Sequence, residues 1–373
     1  MRGRRSNSEG SITRRSDGRW MARVSLANGD RKTFYAKTRQ EALQLLKAAI
    51  RDLDKGLPLL SDAQMLGQYL ETWLAAVQHT IKPGTWKRHA EYVRLHIIPD
   101  LGKVPLTKLT AQQVQALYAK KLDEGLSPTT VHHLHAVLHR ALKAALRLEL
   151  LQRNVTEMVD PPRMAHPEMA TLSAEQARHF LATAAGDRFE ALYVLALCTG
   201  MRQGELLALR WRDIDLPAGT VSVRATLRYS PQGYVFAEPK THHSRRLIAL
   251  PQLAQEALKR HKQMQAEEKA KLGDGWRDVD LVFPNTIGGP MVNMHLLRRE
   301  FLPMLEKAGL RRIRFHDLRH TAATLLLGQG VNPKIVSEML GHSDVSITLN
   351  LYSHVTPHMQ QQAAAAMDDA LGT

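Results

Sequence analysis

The chain has 373 residues, 44% of them hydrophobic, and its 51 Lys+Arg against 36 Asp+Glu leave a formal charge of +15 and a pI near 10.0. That length suits two or three domains with real cores and excludes a disordered chain, while the charge excess points to a polyanionic partner, nucleic acid first of all. No run approaches the roughly 18–20 apolar residues that span a bilayer, and a single cysteine, Cys198, excludes an internal disulfide.

Residues 1–40 carry eleven Lys/Arg against three acids, so the N-terminus forms a basic module of its own. It begins "MRGRRSNSEG", with no apolar signal region behind it, so a cytoplasmic protein is expected. Asp17-Gly18 and Asn28-Gly29 are hairpin dipeptides, and the segments around them carry Trp20, Val24, Leu26, Phe34 and Tyr35. Three strands are expected here. A helix then opens at Thr38, with Glu41 three residues on as a capping box. Leu43, Leu46, Ile50 and Leu53 are its expected apolar stripe, and Gly56 its end. Arg14, Arg15, Arg19, Arg23, Arg31 and Lys32 sit on or between the strands, which suits a ribbon that reads DNA. A basic oligomerisation or RNA-binding module fits the same residues.

Residues 62–150 read as helix throughout, broken at 81–85, 97–110 and 124–130. Lys82, Lys87 and Arg88 cluster after the first break as further DNA-contact candidates. Ser127 and Pro128 start the last helix as cap and first residue. Its buried stripe is Val131, Leu134, Leu138, Ala141, Leu142 and Ala145. His132, His139, Arg140, Lys143 and Arg147 line the other side, a face of one sign suited to backbone phosphates. The "HHLHAVLH" histidines lack the Cys or carboxylate companions of a zinc site, so no metal is expected there. Three prolines at 161, 162 and 167 mark a linker over 153–170. Ser173, with Gln176 three residues later, restarts a helix. A mixed domain follows with strands in "TVSVRATLRY", "GYVFAEPK" and "SRRLIAL". Cys198, in "ALYVLALCTG", has the pattern of a small core residue.

The chemistry concentrates in this last part. In "RIRFHDLRHTAATLLL", His316, Arg319 and His320 stand at the mouth of an apolar helix, where unpartnered N–H groups favour an anion. A phosphate is the expected occupant. Arg202 follows a Gly turn in "CTGMRQGELLALRW", with Glu205 three residues on. Lys240 stands at a bend in "EPKTHHSRR", and "LGHSDVSITLNLYSHV" supplies His342 and Tyr352.

Each piece alone is a surface charge, a turn or a core ring, but their order, Arg, Lys, His-x-x-Arg, Gly-His, Tyr, resembles the tyrosine recombinases. Among these the chain is most similar to the integrases of phages and integrative elements. The resemblance implies Arg202, Lys240, His316, Arg319, His342 and Tyr352 as catalytic residues, Tyr352 as nucleophile, and Glu205 as support for Arg202. It also implies an arm-site DNA-binding domain at 1–60, a core-site-binding helical domain at 61–152, and a catalytic domain with a C-terminal tail helix at 171–373. The expected fold is thus a small three-stranded sheet plus helix, an all-α bundle, and a mixed, mainly α catalytic domain.

The residue types suit that chemistry. A tyrosine can hold the phosphodiester energy as a 3′-phosphotyrosyl ester. Its phenol, with a pKa of about 10, needs a base, and His316 is the candidate. The two guanidiniums can grip the non-bridging oxygens, His342 can add a hydrogen bond, and Lys240 can protonate the leaving 5′ oxygen. With that much positive charge no metal or other cofactor is required. The expected partners are double-stranded DNA at core and arm attachment sites, three further copies of the chain on synapsed DNA, and DNA-bending or excisionase accessory proteins. The expected setting is the nucleoid of a bacterial host. Two alternatives stay open: a type IB topoisomerase-like enzyme that only relaxes DNA, and a DNA-binding regulator with the fold but no catalysis.

Overall fold

The computed structural model describes residues 10–25, 31–54, 64–164, 169–230, 233–237, 245–342, 344–352, 367–368 and 371–372; at 52, 54, 229, 230 and 350–352 it describes the backbone alone. The chain divides into two units, Met1–Pro167 and Glu168–Thr373.

In the first unit, β1 (Ser11–Arg14), β2 (Trp20–Ser25) and β3 (Arg31–Ala36) form an antiparallel sheet in chain order. The β1–β2 turn is the expected Asp-Gly one. Gly18 takes φ +82°, and the Asp17 carboxylate accepts the Arg19 N–H at 3.1 Å. Asn28-Gly29 and Leu26 lie outside the described residues, as does Gly56. Helix α1 (Arg39–Asp54) starts with its capping box: Thr38 Oγ1 accepts from Glu41 N–H at 3.2 Å, and Glu41 Oε2 from Thr38 N–H at 3.3 Å. Its inner stripe differs from expectation. Leu43 is 37% exposed, while Ala42, Leu46 and Ala49 are buried against Ala22 and Val24. The i, i+4, i+7 spacing of 42, 46 and 49 sets the face that meets the sheet, and Leu43 falls one residue round the helix from it.

Helices α2 (Leu66–Val77), α3 (Pro83–Glu91), α4 (Ile98–Leu101), α5 (Ala111–Asp123) and α6 (Pro128–Arg147) build the helical core. The break expected from 97 comes later, because α3 runs into α4 through a π turn at Tyr92–Ile97. Pro99 explains it. A widened turn just upstream absorbs the missing donor and the ring clash that proline brings to a helix. On α6, Ser127 caps as expected, accepting from Thr130 N–H at 3.2 Å, and the whole expected stripe is buried, joined by Val137. The connecting segment needs correction. Asn154, Val155, Thr156 and Val159 are buried, so the chain from 153 to 159 is part of this helical core. Its irregular backbone, a short 3-10 turn at Val155–Met158, hid two core valines.

The second unit contains α7 (Ala174–Thr183), α8 (Glu190–Thr199), α9 (Gln203–Leu206), β4 (Ile214–Asp215), β5 (Thr220–Val223), β6 (Thr226–Ser230), β7 (Gly233–Ala237), β8 (Arg246–Ala249) and α10 (Gln252–Leu272). After these come α11 (Asn293–His295), α12 (Leu302–Lys307), α13 (Phe315–Gly328), α14 (Pro333–Leu340) and α15 (Val345–Tyr352). Strands β4, β5 and β8 form one antiparallel sheet in that order, and β6 and β7 a separate hairpin. Ser173 caps α7 through the expected box with Gln176. A second π turn, Leu296–Phe301, again falls two residues before a proline, Pro303. Phe180, Tyr193, Phe301 and Phe315 pack edge to face or tilted at 5.2–6.1 Å. Helix α8 is buried almost all round. Cys198 packs there as expected, and burial lifts its thiol to about 11, which makes it a poor nucleophile.

Thr321 ties α13 to the start of the unit. Its hydroxyl accepts the Leu172 N–H at 3.0 Å and donates to Asp317 O at 2.9 Å, fully buried. Thr321→Val keeps the shape but orphans a buried N–H, so it should destabilise the unit by about 1–3 kcal/mol. Chemical denaturation followed by a probe in this unit measures the loss, and an unchanged midpoint would contradict it.

Candidate active site

The site is assembled where α8 ends. Gly200 closes that helix with φ +59°, and a Cβ there would lie 2.2 Å from Leu340 Cδ2 and 3.7 Å from Arg319 Cγ. Only glycine lets α13 and α14 approach the turn this closely. Arg202 then caps α9. Its backbone N–H donates to Glu205 Oε2 at 3.0 Å, its Nη1 to Glu205 Oε1 at 2.8 Å, and its Nη2 to Gly341 O at 3.2 Å. Glu205, 3% exposed, therefore supports Arg202 as the resemblance implied. It also accepts from Arg246 Nη2 at 2.9 Å, while Arg246 Nε donates to Met339 O at 2.6 Å.

Arg319 lies within the same group, 3% exposed. Its Nη1 donates to Gly200 O at 2.7 Å, and its buried Nη2 has no partner among the described residues. His316 and His320 meet edge to face at 4.9 Å on α13. At the mouth of that helix the buried Asp317 carboxylate accepts the Arg314 N–H at 2.7 Å and pairs with the Arg314 guanidinium at 2.7 Å. His342 follows Gly341, which takes φ +68°. Its N–H donates to Ser337 O at 3.0 Å, and its Nδ1 lies 2.8 Å from Thr348 Oγ1, a fully buried hydroxyl on α15. Tyr352 ends α15. Its side chain and Lys240 lie outside the described residues, so Arg202, Glu205, His316, Arg319 and His342 are the predicted members seen together.

The electrostatics share two causes, burial first and then a surplus of cations around Glu205. Burial, then Arg202, draws Arg319 down to about 9, with Glu205 opposing. His316 stays accessible at the surface, yet burial of much of its ring, then His320, Arg319, Arg202 and Arg314, hold it down to about 4. Burial, then Arg319 and Arg202, hold His342 down to about 3. Burial alone would raise Glu205, but Arg246 and Arg202 keep it below the usual carboxylate range. Both imidazoles are neutral at pH 7.

Two participants escaped sequence reasoning. Arg246 alternates with buried Ile248 and Leu250, whereas Arg245 and Leu247 point outward, so the strand period alone could have turned it inward. Thr348 had no comparable signal.

The candidate DNA contacts divide. In the small sheet, Arg23 and Arg31 share the outer face with Tyr35, and the Arg15 and Arg19 guanidiniums lie 5.2 and 5.9 Å from the Tyr35 ring. The pleat assigns Arg14 and Lys32 to the register of Ala22 and Val24, the opposite side, so the six do not form one surface. In the helical core, Lys82, Lys87 and Arg88 are exposed, and Arg140, Lys143 and Arg147 form an exposed stripe on α6. His139 does not belong to that stripe. Its Nδ1 lies 2.9 Å from Thr156 Oγ1 and 3.2 Å from Asn154 Nδ2, and its ring stacks on His135. Three- and four-residue spacing puts His132, His135 and His139 on a second, half-buried side of the helix.

Residues 170–359 match the Phage integrase family, and residues 65–122 match the N-terminal SAM-like domain of phage integrases. A tyrosine recombinase XerC-like protein of Caldanaerobacter subterraneus subsp. tengcongensis is 32% identical over 359 residues, spanning 91% of this chain and 92% of its own. The fold is similar to the integrase of transposon Tn1549 solved with a circular intermediate DNA (TM-score 0.68, 22% identity, 83% of this chain and all of that one). It is also similar to lambda integrase solved as a tetramer on a Holliday junction (TM-score 0.58, 19% identity, 93% and 96%). The chain belongs to the phage integrase family of tyrosine recombinases.

Two outcomes follow from this geometry. Gly200→Ala combines a left-handed backbone with a clash against Leu340, so it should cost more than about 1 kcal/mol of stability. DNA cleavage should fall with it, as gel assays of covalent adduct would register; an alanine variant of wild-type stability would show the close approach to be dispensable. Histidines depressed in the fold bind protons less readily than in the unfolded chain, so stability is full above about pH 6.5 and drains away as pH falls toward 4. Melting temperatures at pH 8, 6.5 and 5 should decline in that order, and a maximum at pH 5 would be inconsistent with neutral imidazoles at 316 and 342.

Proposed function

We propose that this recombinase cleaves one DNA strand through Tyr352, with the cationic group around Glu205 holding the scissile phosphate. The observation that carries the reading is the buried Nη2 of Arg319, without a partner among the described residues and amid surplus positive charge. Two oxygens of a phosphate would satisfy that donor and relieve the crowding at once. Tyr352 attacks phosphorus as His316, neutral at pH 7, accepts the phenolic proton. The pentavalent transition state gathers charge on its non-bridging oxygens, where Arg202 and Arg319 grip and His342 donates. The bond to the 5′ oxygen breaks as Lys240 supplies its proton, leaving a 3′-phosphotyrosyl ester and a free 5′ hydroxyl. Attack by the 5′ hydroxyl of a partner strand reverses these steps and reseals the DNA without ATP.

The same reading gives the other parts their work. Residues 1–60 bind arm sites through the Arg23–Arg31–Tyr35 face, and 61–152 bind core sites through Arg140, Lys143 and Arg147. Four copies act together on two duplexes, as the tetrameric lambda structure suggests, with DNA-bending or excisionase proteins setting direction. The products are insertions and excisions of a phage or mobile element in the nucleoid of a bacterial host. Among the described residues no helix is long and apolar enough to cross a membrane.

The test uses a suicide substrate nicked beside the cleavage position. Wild-type protein should accumulate a covalent adduct, and Tyr352→Phe should bind the same DNA within about twofold yet form none, since the phenol oxygen is the atom removed. An adduct with the phenylalanine variant would move the nucleophile elsewhere. Relaxed circles without recombinant junctions would instead favour a topoisomerase.

A further inference from the structure

Arg246 is not among the residues that the integrase reading of this site employs, yet its side chain is 7% exposed and its charge lies against the buried carboxylate. Glu205 is asked to do two things that conflict. It must hold Arg202 by its backbone N–H and its Nη1, and it must not cancel the charge that Arg202 would present to a phosphate. A buried carboxylate facing one guanidinium makes a neutral pair. A second guanidinium on Oε2 changes the sum, since Arg202, Glu205 and Arg246 together carry one net positive charge. The second contact of Arg246, to Met339 O, falls two residues before Gly341, whose carbonyl receives Arg202. The two arginines therefore grip the same helix end, immediately ahead of His342.

We propose that Arg246 is a positioning residue that neutralises Glu205, so that Arg202 keeps its full charge for the scissile phosphate while the end of α14 is held in register. This rests on the cleavage reading above. It also gives β8 a role: the strand that follows the segment bearing Lys240 delivers the counter-charge for the arginine of α9.

The inference is separable from a packing role by charge arithmetic. R246Q keeps a donor near Glu205 but removes the charge. At saturating DNA, its single-turnover adduct formation should slow by about 10–100-fold, less than loss of a direct transition-state donor, with DNA affinity within about threefold because Arg246 need not touch the substrate. R246K, which keeps the charge with poorer geometry, should fall between R246Q and wild type. The decisive variant is E205Q/R246Q. Removing both charges restores the net positive value of the group, so it should cleave at least about fivefold faster than R246Q alone. A purely structural role predicts the opposite, a double variant as slow as or slower than the single one, and that result would overturn the proposal. So would wild-type rates in R246Q. If the unaltered protein forms no adduct, the cleavage reading itself fails and takes this inference with it; an active wild type with the wrong order among the variants removes the inference alone.

Discussion

One buried carboxylate organises the catalytic unit. Glu205 is nearly inaccessible and carries a charge that water cannot solvate, so its place in the fold depends on the guanidiniums around it. Those guanidiniums come from distant parts of the chain, Arg202 at the start of α9 and Arg246 on β8, and both continue to carbonyls at the end of α14. Arg319 is fixed from a third direction through Gly200 O. The turn at 200–205, the strand at 246 and the corner at 339–342 are thereby held by charge and hydrogen bonds, where apolar packing alone would leave their relative positions looser.

The same arrangement explains why the resting site is electrostatically unfinished. Burial first, and then the cations crowded around Glu205, depress the pKa values of Arg319, His316 and His342. A protein gains nothing in stability from such crowding. Under the proposed reading it becomes useful on binding a phosphodiester, because repulsion among the cations gives way to attraction for the phosphate.

Much of this was legible in the amino-acid order. Capping boxes at Thr38 and Ser173, the Asp-Gly turn and the six-position stripe of α6 are local matters of period and hydrogen bonding, and the structure reproduces them. The proposed catalytic set had another source, since the order of Arg202, Lys240, His316, Arg319, His342 and Tyr352 resembles a known family. What sequence left hidden was tertiary. Leu43 faces out because the face that meets the sheet is set by 42, 46 and 49. His139 turns from the basic stripe toward Asn154 and Thr156, and Val155 and Val159 are core residues in an irregular, proline-flanked segment. Arg246 sat in plain view beside Arg245, distinguished from it only by the parity of a strand whose two faces become visible once the sheet is formed.

The bond between His342 and Thr348 has a consequence for control. Thr348 stands one helical turn before Tyr352 on α15, so the imidazole takes its orientation from the very helix that ends in the proposed nucleophile. Withdrawing that helix would disarm the attacking oxygen and misalign the histidine in a single movement. Under the proposed reading, displacement of α15 would silence a subunit twice over, a safeguard against stray nicks that needs no separate inhibitor.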